Sequence, residues 1–340
     1  MVQKKSIVLK HFLCPGDITV MTSIPRDIYR AYGDRYQIGV WTNHPHIWQN
    51  NPFIYANYGP DDTPQPGVPV VQLDYDVKLH KTGKHHFLHA YLQTAIEGLK
   101  AHGIEDIPLT ELRPYFKLDD DEEKRKPMGG ADYWLICAGG KYDCAAKWWD
   151  PEMWKQLAGM MNCEKTFPPL VQIGTVRGAN HPKIKGTINR VGQTNLRTLI
   201  WLVAHCKGVI CGVTAVMHMA AAFGKPCVVV AGGREPWWWD SYDKRALERH
   251  APAIPEKYQQ LLSKVTPHLY LDSLGKYSCC KEYGCWKRHI GNKIGDENCE
   301  NIVRAHRFHG PSIPQAQCMR DITPQHVRAA IMKYHGRSVK

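Results

Sequence analysis

The stretch "VICGVTAVMHMAAAFGKPCVVVAGGREP", Val209–Pro236, most constrains how this chain can fold. Two apolar runs, "GVICGV" and "PCVVVAGG", flank a segment built from Ala, Met, Val and Phe. Short apolar runs bounded by glycine read as strands buried on both faces, which belong to parallel sheets. The segment between them then reads as the crossover helix. Thr214 stands at the strand–helix junction, and His218 follows one turn later. With Thr214 as N-cap, the backbone N–H groups of Ala215 and Val216 stay free at the positive end of the helix. That is an anion site at a strand's carboxyl end, suited to a diphosphate. The plainer reading is a simple cap at Thr214 and a hydrogen-bonded core histidine at His218, and spacing alone favours it.

The same alternation recurs along the chain. "SIVLKHFL", "YQIGVWTN" and "PVVQLDY" read as strands of a first sheet. "ITVMTSIPRDIYRAYG" has helical spacing interrupted at Pro25, and "HFLHAYLQTAIEGLKAHGI" reads as an amphipathic helix ending near Gly103. "KLDDDEEKRKPMGGAD" is a charge-dense gap and reads as a solvated linker. Beyond it come strands in "YWLICAGG" and "PPLVQIGT". Helices follow in "DPEMWKQLAGMM", opened by Asp150 and Pro151, in "NLRTLIWLVAHC", capped by Thr194 or Asn195, and in "TPQHVRAAIMKYH", capped by Thr323. Two doubly wound α/β domains facing each other across a cleft, residues 1–125 and 126–340, are the simplest architecture. Their ligands belong beyond the carboxyl ends of the strands.

Composition narrows the partners. The 340 residues are 43% hydrophobic and 22% charged, enough for two cores. No run reaches the roughly eighteen apolar residues that span a bilayer. The N-terminal run is interrupted by Lys10 and His11 and reads as a strand rather than a signal peptide, so a soluble, cytoplasmic protein is expected. A net charge of +12 favours phosphorylated or polyanionic partners. Its basic residues are dispersed, which makes nucleic acid a minority reading.

The motif from Thr214 to Pro226 resembles the donor-site motif of glycosyltransferase family 9, the ADP-heptose heptosyltransferases. Thr214, His218, Ala221 and Pro226 match that pattern; Val213 stands where the family usually has Asp, and Ala215 where it has Gly. "CPGDITVMTSIPRDIYRAYG" is similar to the family's N-terminal Gly-Asp turn and helix, and "AAKWWDPEMWKQL" to its Lys-x-Trp segment. "CMRDITPQHVRAAI" is similar to its closing helix. The resemblance implies a GT-B fold, two Rossmann-like domains, and inverting transfer of a sugar from a nucleotide diphosphate, an ADP-heptose above others. It implies Asp17 as general base, Lys147 on the donor diphosphate, and Gly16 and Thr22 on the acceptor side.

Such a transfer must neutralise the leaving diphosphate, deprotonate the acceptor hydroxyl and exclude water. Lys147 and the helix tip at Thr214 can do the first without a divalent ion. The Asp-x-Asp triplet in "DDDEE" falls in the linker and reads as solvated. Gly232 and Gly233 end a strand and could approach a diphosphate closely, or form a simple turn. Thr175 and Arg177 end another strand as further donor contacts. Without the resemblance, Asp17 would read as a helix cap. "WWW" at 237–239 reads as packing or an acceptor-side surface.

Seven of the twelve cysteines lie in apolar surroundings and read as core filler. Cys279, Cys280, Cys285, Cys299 and Cys318 share one polar tail segment. Clustered thiolates in a cytosolic chain argue for a structural zinc or iron. The segment, about 277–320, resembles the iron-binding cysteine finger of the autotransporter heptosyltransferases, which implies Cys285, Cys299, Cys318 and one of Cys279 or Cys280 as ligands. The acceptor is open between a glycan core and a protein hydroxyl, and an oligomer is open too. Two rival readings remain: transfer to hydroxymethylated bases in nucleic acid, and a nucleotide-sugar binding module without turnover, which Val213 in the place of Asp favours.

Overall fold

A computed structural model describes residues 4–82, 85–249, 256–265, 268–291, 298–305 and 313–335. Strands β1 (Lys5–His11), β2 (Tyr36–Thr42), β3 (Ala56–Tyr58) and β4 (Val70–Gln72) form a parallel sheet in the order β3-β2-β1-β4. Ile7, Val8 and Leu9 are all buried, as a strand covered on both faces requires. Helices α1 (Pro15–Met21) and α2 (Ser23–Tyr32) follow β1, and α3 (Phe87–Leu99) follows β4.

The break between α1 and α2 falls at Thr22, not at Pro25 as the sequence led us to expect. Thr22 Oγ1 donates to the Thr19 carbonyl at 2.6 Å and accepts the Tyr115 amide at 2.8 Å. Pro25 is the third residue of α2, where an amide would have no intrahelical acceptor, so the ring is tolerated.

The charged gap is largely exposed, as expected, but it is not all loop. It holds a short helix, α4 (Asp120–Lys124), capped by Asp119. Glu122 turns inward to Arg197, whose Nε donates to Oε1 at 2.7 Å. Arg197 also donates to the carbonyls of Lys117 (2.8 Å) and Gln49 (3.3 Å). One buried guanidinium thus gathers the first half, the linker and the second half.

The second half begins with β5 (Trp134–Cys137) and β6 (Gly140–Lys141), then α5 (Pro151–Asn162), β7 (Leu170–Gln172), β8 (Ala179–Asn180), β9 (Ile188–Asn189) and α6 (Leu196–His205). Next come β10 (Gly208–Gly212), α7 (Ala215–Ala222), β11 (Cys227–Gly232), α8 (Trp237–Asp240), α9 (Lys244–Arg249) and β12 (His268–Asp272). The tail carries β13 (Ile302–Ala305), β14 (Ile313–Ala316), α10 (Gln317–Arg320) and α11 (Pro324–Met332). Six strands make a parallel sheet in the order β12-β11-β10-β5-β7-β9. Along β10, Val209 and Cys211 face one apolar cluster and Ile210 the other, so both faces are covered. This is the doubly wound pattern read from the 209–236 stretch. The first cluster runs on through α7 and α1 into the first sheet, joining two Rossmann-like halves. Among the described residues no helix is long and apolar enough to cross a membrane.

Candidate active site

Strand order locates the site. In the first sheet the order reverses between β1 and β4, and in the second between β5 and β10. Crevices open beyond the carboxyl ends of strands at such reversals, where ligands of these sheets bind. Asp17 follows β1 and Tyr75 follows β4; Lys147 follows β5 and β6, and Thr214 follows β10. The two crevices meet where α1 packs on α7. A Cβ on Gly16 would lie 3.6 Å from the Ala215 Cα and 3.7 Å from His218 Cδ2.

On the first-domain side, the Asp17 carboxylate is held by three donors. Tyr75 Oη donates to Oδ1 at 3.0 Å; the Cys14 amide (3.1 Å) and thiol (2.6 Å) donate to Oδ2. The N-cap of α1 is Cys14, not Asp17 as the plainer reading had it; Asp17 is the third helical residue and accepts the N-cap amide. Oδ1 keeps a lone pair for another donor, and Asp17 is 9% exposed. Burial and then Asp17 push the Cys14 thiol up to about 11, so it stays a protonated donor.

On the second-domain side, Lys147 Nζ pairs with Glu235 Oε1 at 2.5 Å, and Arg234 bonds to the same oxygen. Burial would raise the Glu235 carboxyl, but Arg234 and then Lys147 outweigh it and hold it below the usual range. Two cations sharing one anion leave this side net positive. Asp240, at the end of α8, is 5% exposed, with no hydrogen bond or ion pair among the described residues. Burial, then Glu235, push its carboxyl up to about 8; Asp17 adds to the rise while Lys147 and Arg234 oppose it.

Thr214 caps α7 in extended geometry but makes no side-chain bond to the helix, and its hydroxyl is buried beside the Cys137 thiol. The Met217 amide is satisfied by the Thr214 carbonyl at 3.1 Å. The amides of Ala215 and Val216 belong to the first turn and have no intrahelical acceptor. His218 is 4% exposed, with Nδ1 2.8 Å from the Tyr242 hydroxyl. Burial and then the charges of His86, Lys147 and His268 bring it down to about 3, so its ring is neutral. It lies behind the helix tip as a bonded core histidine.

Other expectations need correction. Thr22 is fully buried at the α1–α2 joint, so its hydroxyl does not face the cleft on the acceptor side. The open side of the Gly232–Gly233 turn is filled by protein. Gly232 has φ +67, and its Cβ would overlap Met319 and lie 3.4 Å from the Cys318 sulfur; a Cβ on Gly233 would lie 2.8 Å from the Cys280 sulfur. Packing of the cysteine segment explains these glycines. Thr175 and Arg177 are exposed in the loop between β7 and β8, where the Arg177 amide donates to Thr175 Oγ1 at 3.2 Å. They neighbour the Lys147 loop through β8, which pairs with β6, without joining the charged set.

Three of the tail cysteines, Cys280, Cys285 and Cys318, lie beside that turn. Burial, then neighbouring cysteines, contribute to raising Cys285 to about 12 and Cys318 to about 11. Among the described residues, however, no three His, Cys, Asp or Glu side chains are grouped to hold an ion. Instead, Cys279 accepts from Asn301 Nδ2 at 3.3 Å, and Cys299 points its thiol to the Asn301 carbonyl at 3.5 Å. Sequence reasoning missed Cys14, Tyr75, Arg234, Glu235 and Asp240. The charged pair in "GREP" directly after an apolar strand was the available signal for two of them.

Known proteins share sequence and fold with this chain. The sequence profile of glycosyltransferase family 9 (heptosyltransferase) matches residues 58–260. Lipooligosaccharide heptosyltransferase 2 of Haemophilus ducreyi is 23% identical over 243 residues, 60% of this chain and 66% of that protein, so the match spans just under two thirds of the relative. Among solved structures, the iron-containing dodecameric glycosyltransferase TibC from enterotoxigenic E. coli superposes with a TM-score of 0.61 at 15% identity, covering 98% of this chain and 76% of the other. A second structure of it, in complex with ADP-D-β-D-heptose, gives 0.56 at 14% identity with the same coverage. The ADP-heptose heptosyltransferase II of E. coli gives 0.53 at 14% identity, covering 97% and 98%. These are GT-B type folds. By its profile match over most of its length, and with two Rossmann-like domains of that type, the chain belongs to glycosyltransferase family 9.

Proposed function

We propose that this protein is an inverting heptosyltransferase that takes its sugar from an ADP-activated heptose. The observation that carries the reading is the packing of α1, which bears Asp17, on the tip of α7, beside the net-positive pair of loops that hold Lys147 and Arg234. The diphosphate binds Lys147 and the Ala215 and Val216 amides. The sugar then spans the gap, and the acceptor hydroxyl lies against Asp17 Oδ1. The acceptor oxygen bonds to the anomeric carbon as the bond to the diphosphate breaks. Its proton passes to Asp17, and ADP leaves on the positive loops without a catalytic divalent ion. Thr175 and Arg177 would extend the donor contacts at the rim.

Family membership favours this over transfer to hydroxymethylated bases and over a module without turnover. The acceptor is a glycan or protein hydroxyl, and a cytoplasmic location goes with reduced thiols. We further propose a structural iron or zinc on the tail cysteines. Five cysteines in one tail segment suit a thiophilic cation, which would draw four of them together and neutralise their thiolates. Cys285, Cys299, Cys318 and one of Cys279 or Cys280 would hold it and tie the tail to β11.

Three outcomes test these readings. Asp17→Asn should lower kcat by about 10²- to 10⁴-fold while ADP binding, measured by calorimetry, is retained; unchanged turnover would refute the base. As pH rises through about 8, Asp240 gains a negative charge that offsets those of Lys147 and Arg234, so the donor KM should increase. Asp240→Asn should flatten that profile, and a flat wild-type profile would count against it. Native mass spectrometry should find about one iron or zinc ion per chain, lost in Cys318→Ser; an ion-free wild type with reduced thiols would remove the metal.

A further inference from the structure

Residues 284–288 of the cysteine-bearing segment run between the two loops that carry Lys147 and Glu235, and they bond to both. Towards the Glu235 loop, the Cys285 amide donates to the Gly233 carbonyl and the Trp286 amide to the Arg234 carbonyl, each at 3.2 Å. Arg234 Nε donates back to the Lys287 carbonyl at 2.6 Å, and its guanidinium lies 5.4 Å from the centre of the Trp286 ring. Towards the Lys147 loop, the Ala146 amide donates to the Arg288 carbonyl at 3.0 Å, and Arg288 pairs with Asp143 at 3.3 Å. The strap therefore fixes the residue immediately before each member of the ion pair.

Gly284 shows how close the strap lies. Its φ is +78, and a Cβ there would overlap the Arg234 carbonyl. Any side chain at this position must lift the strap from the 232–236 loop. Arg234, in turn, bonds to Glu235, whose second carboxylate oxygen is buried without a hydrogen-bond partner. Glu235 therefore depends on Arg234 and Lys147 for its place, and Arg234 depends on the strap.

We propose that the 284–288 strap is a positioning element for donor binding: by clamping Arg234 and Ala146 it sets the Glu235 carboxylate that holds Lys147 at the diphosphate site. The inference rests on the reading that Lys147 contacts the diphosphate. A lysine ammonium already held in place loses less rotamer freedom when the anion arrives than a free one, so the strap acts through preorganisation. Its effect belongs in donor affinity, with the chemistry at Asp17 untouched.

The test uses the full chain and ADP as probe. Gly284→Ala, Arg234→Lys and Lys147→Ala are compared with wild type by titration calorimetry, by steady-state kinetics and by thermal melting. Arg234→Lys keeps the charge but removes the bond to the Lys287 carbonyl, and it serves if Gly284→Ala does not fold. Folded Gly284→Ala should weaken ADP binding about tenfold, with donor KM rising in parallel and kcat and acceptor KM within about twofold; Arg234→Lys should weaken ADP binding by a similar factor. If both bind ADP like wild type while Lys147→Ala has lost it, the strap is no positioning element and the donor reading stands. If Lys147→Ala itself binds ADP normally, the donor reading falls and takes the inference with it.

Discussion

The tips of α1 and α7 meet where Gly16 faces Ala215, and that contact brings the two sheets' crevices together. A hydrogen on one side and a methyl on the other let the backbones approach. Each helix follows a strand beside the point where its own sheet reverses order, so each tip lies beside its crevice. Everything chemical follows from this approach. Asp17 comes from one crevice, Lys147 and the α7 amides from the other. Neither domain alone would hold a base opposite a site for a leaving diphosphate.

Aromatic rings fasten the same boundary. Tyr75, which donates to Asp17, has its ring 6.3 Å from Trp239 and 4.7 Å from Phe87, and Phe87 lies 5.3 Å from Trp239. Trp238 and Trp239 are buried, so the run of three tryptophans serves mainly as packing between the halves. The residue that orients the base is thus packed against the helix that carries Asp240. A shift of one domain against the other would be felt at the carboxylate.

Much of the fold was legible because burial on both faces leaves a mark in the sequence. β10, α7 and β11 could be read from composition alone, since a strand buried on both faces has no polar alternation to confuse it. Caps were legible at Asp150 and Thr323, where the side chain accepts a local amide. What failed depended on distant partners. Nothing local tells that Glu122 in an acidic run turns inward to Arg197, 75 positions away. Nothing local tells that Thr22 binds the Tyr115 amide, or that Gly232 is a glycine because Met319 lies against it. The site divided in the same way. Asp17 and Lys147 sit in motifs with fixed spacing, whereas Tyr75, Glu235 and Asp240 acquire their meaning only from the neighbours that folding supplies.

The most direct measurement of the central claim is a crystal structure with an unreactive ADP-heptose analogue bound. The account predicts the diphosphate on Lys147 Nζ and the Ala215 and Val216 amides, with the anomeric carbon turned towards Asp17 Oδ1. A nucleotide sugar seated away from the junction of α1 and α7, or with its anomeric carbon turned from Asp17, would contradict it.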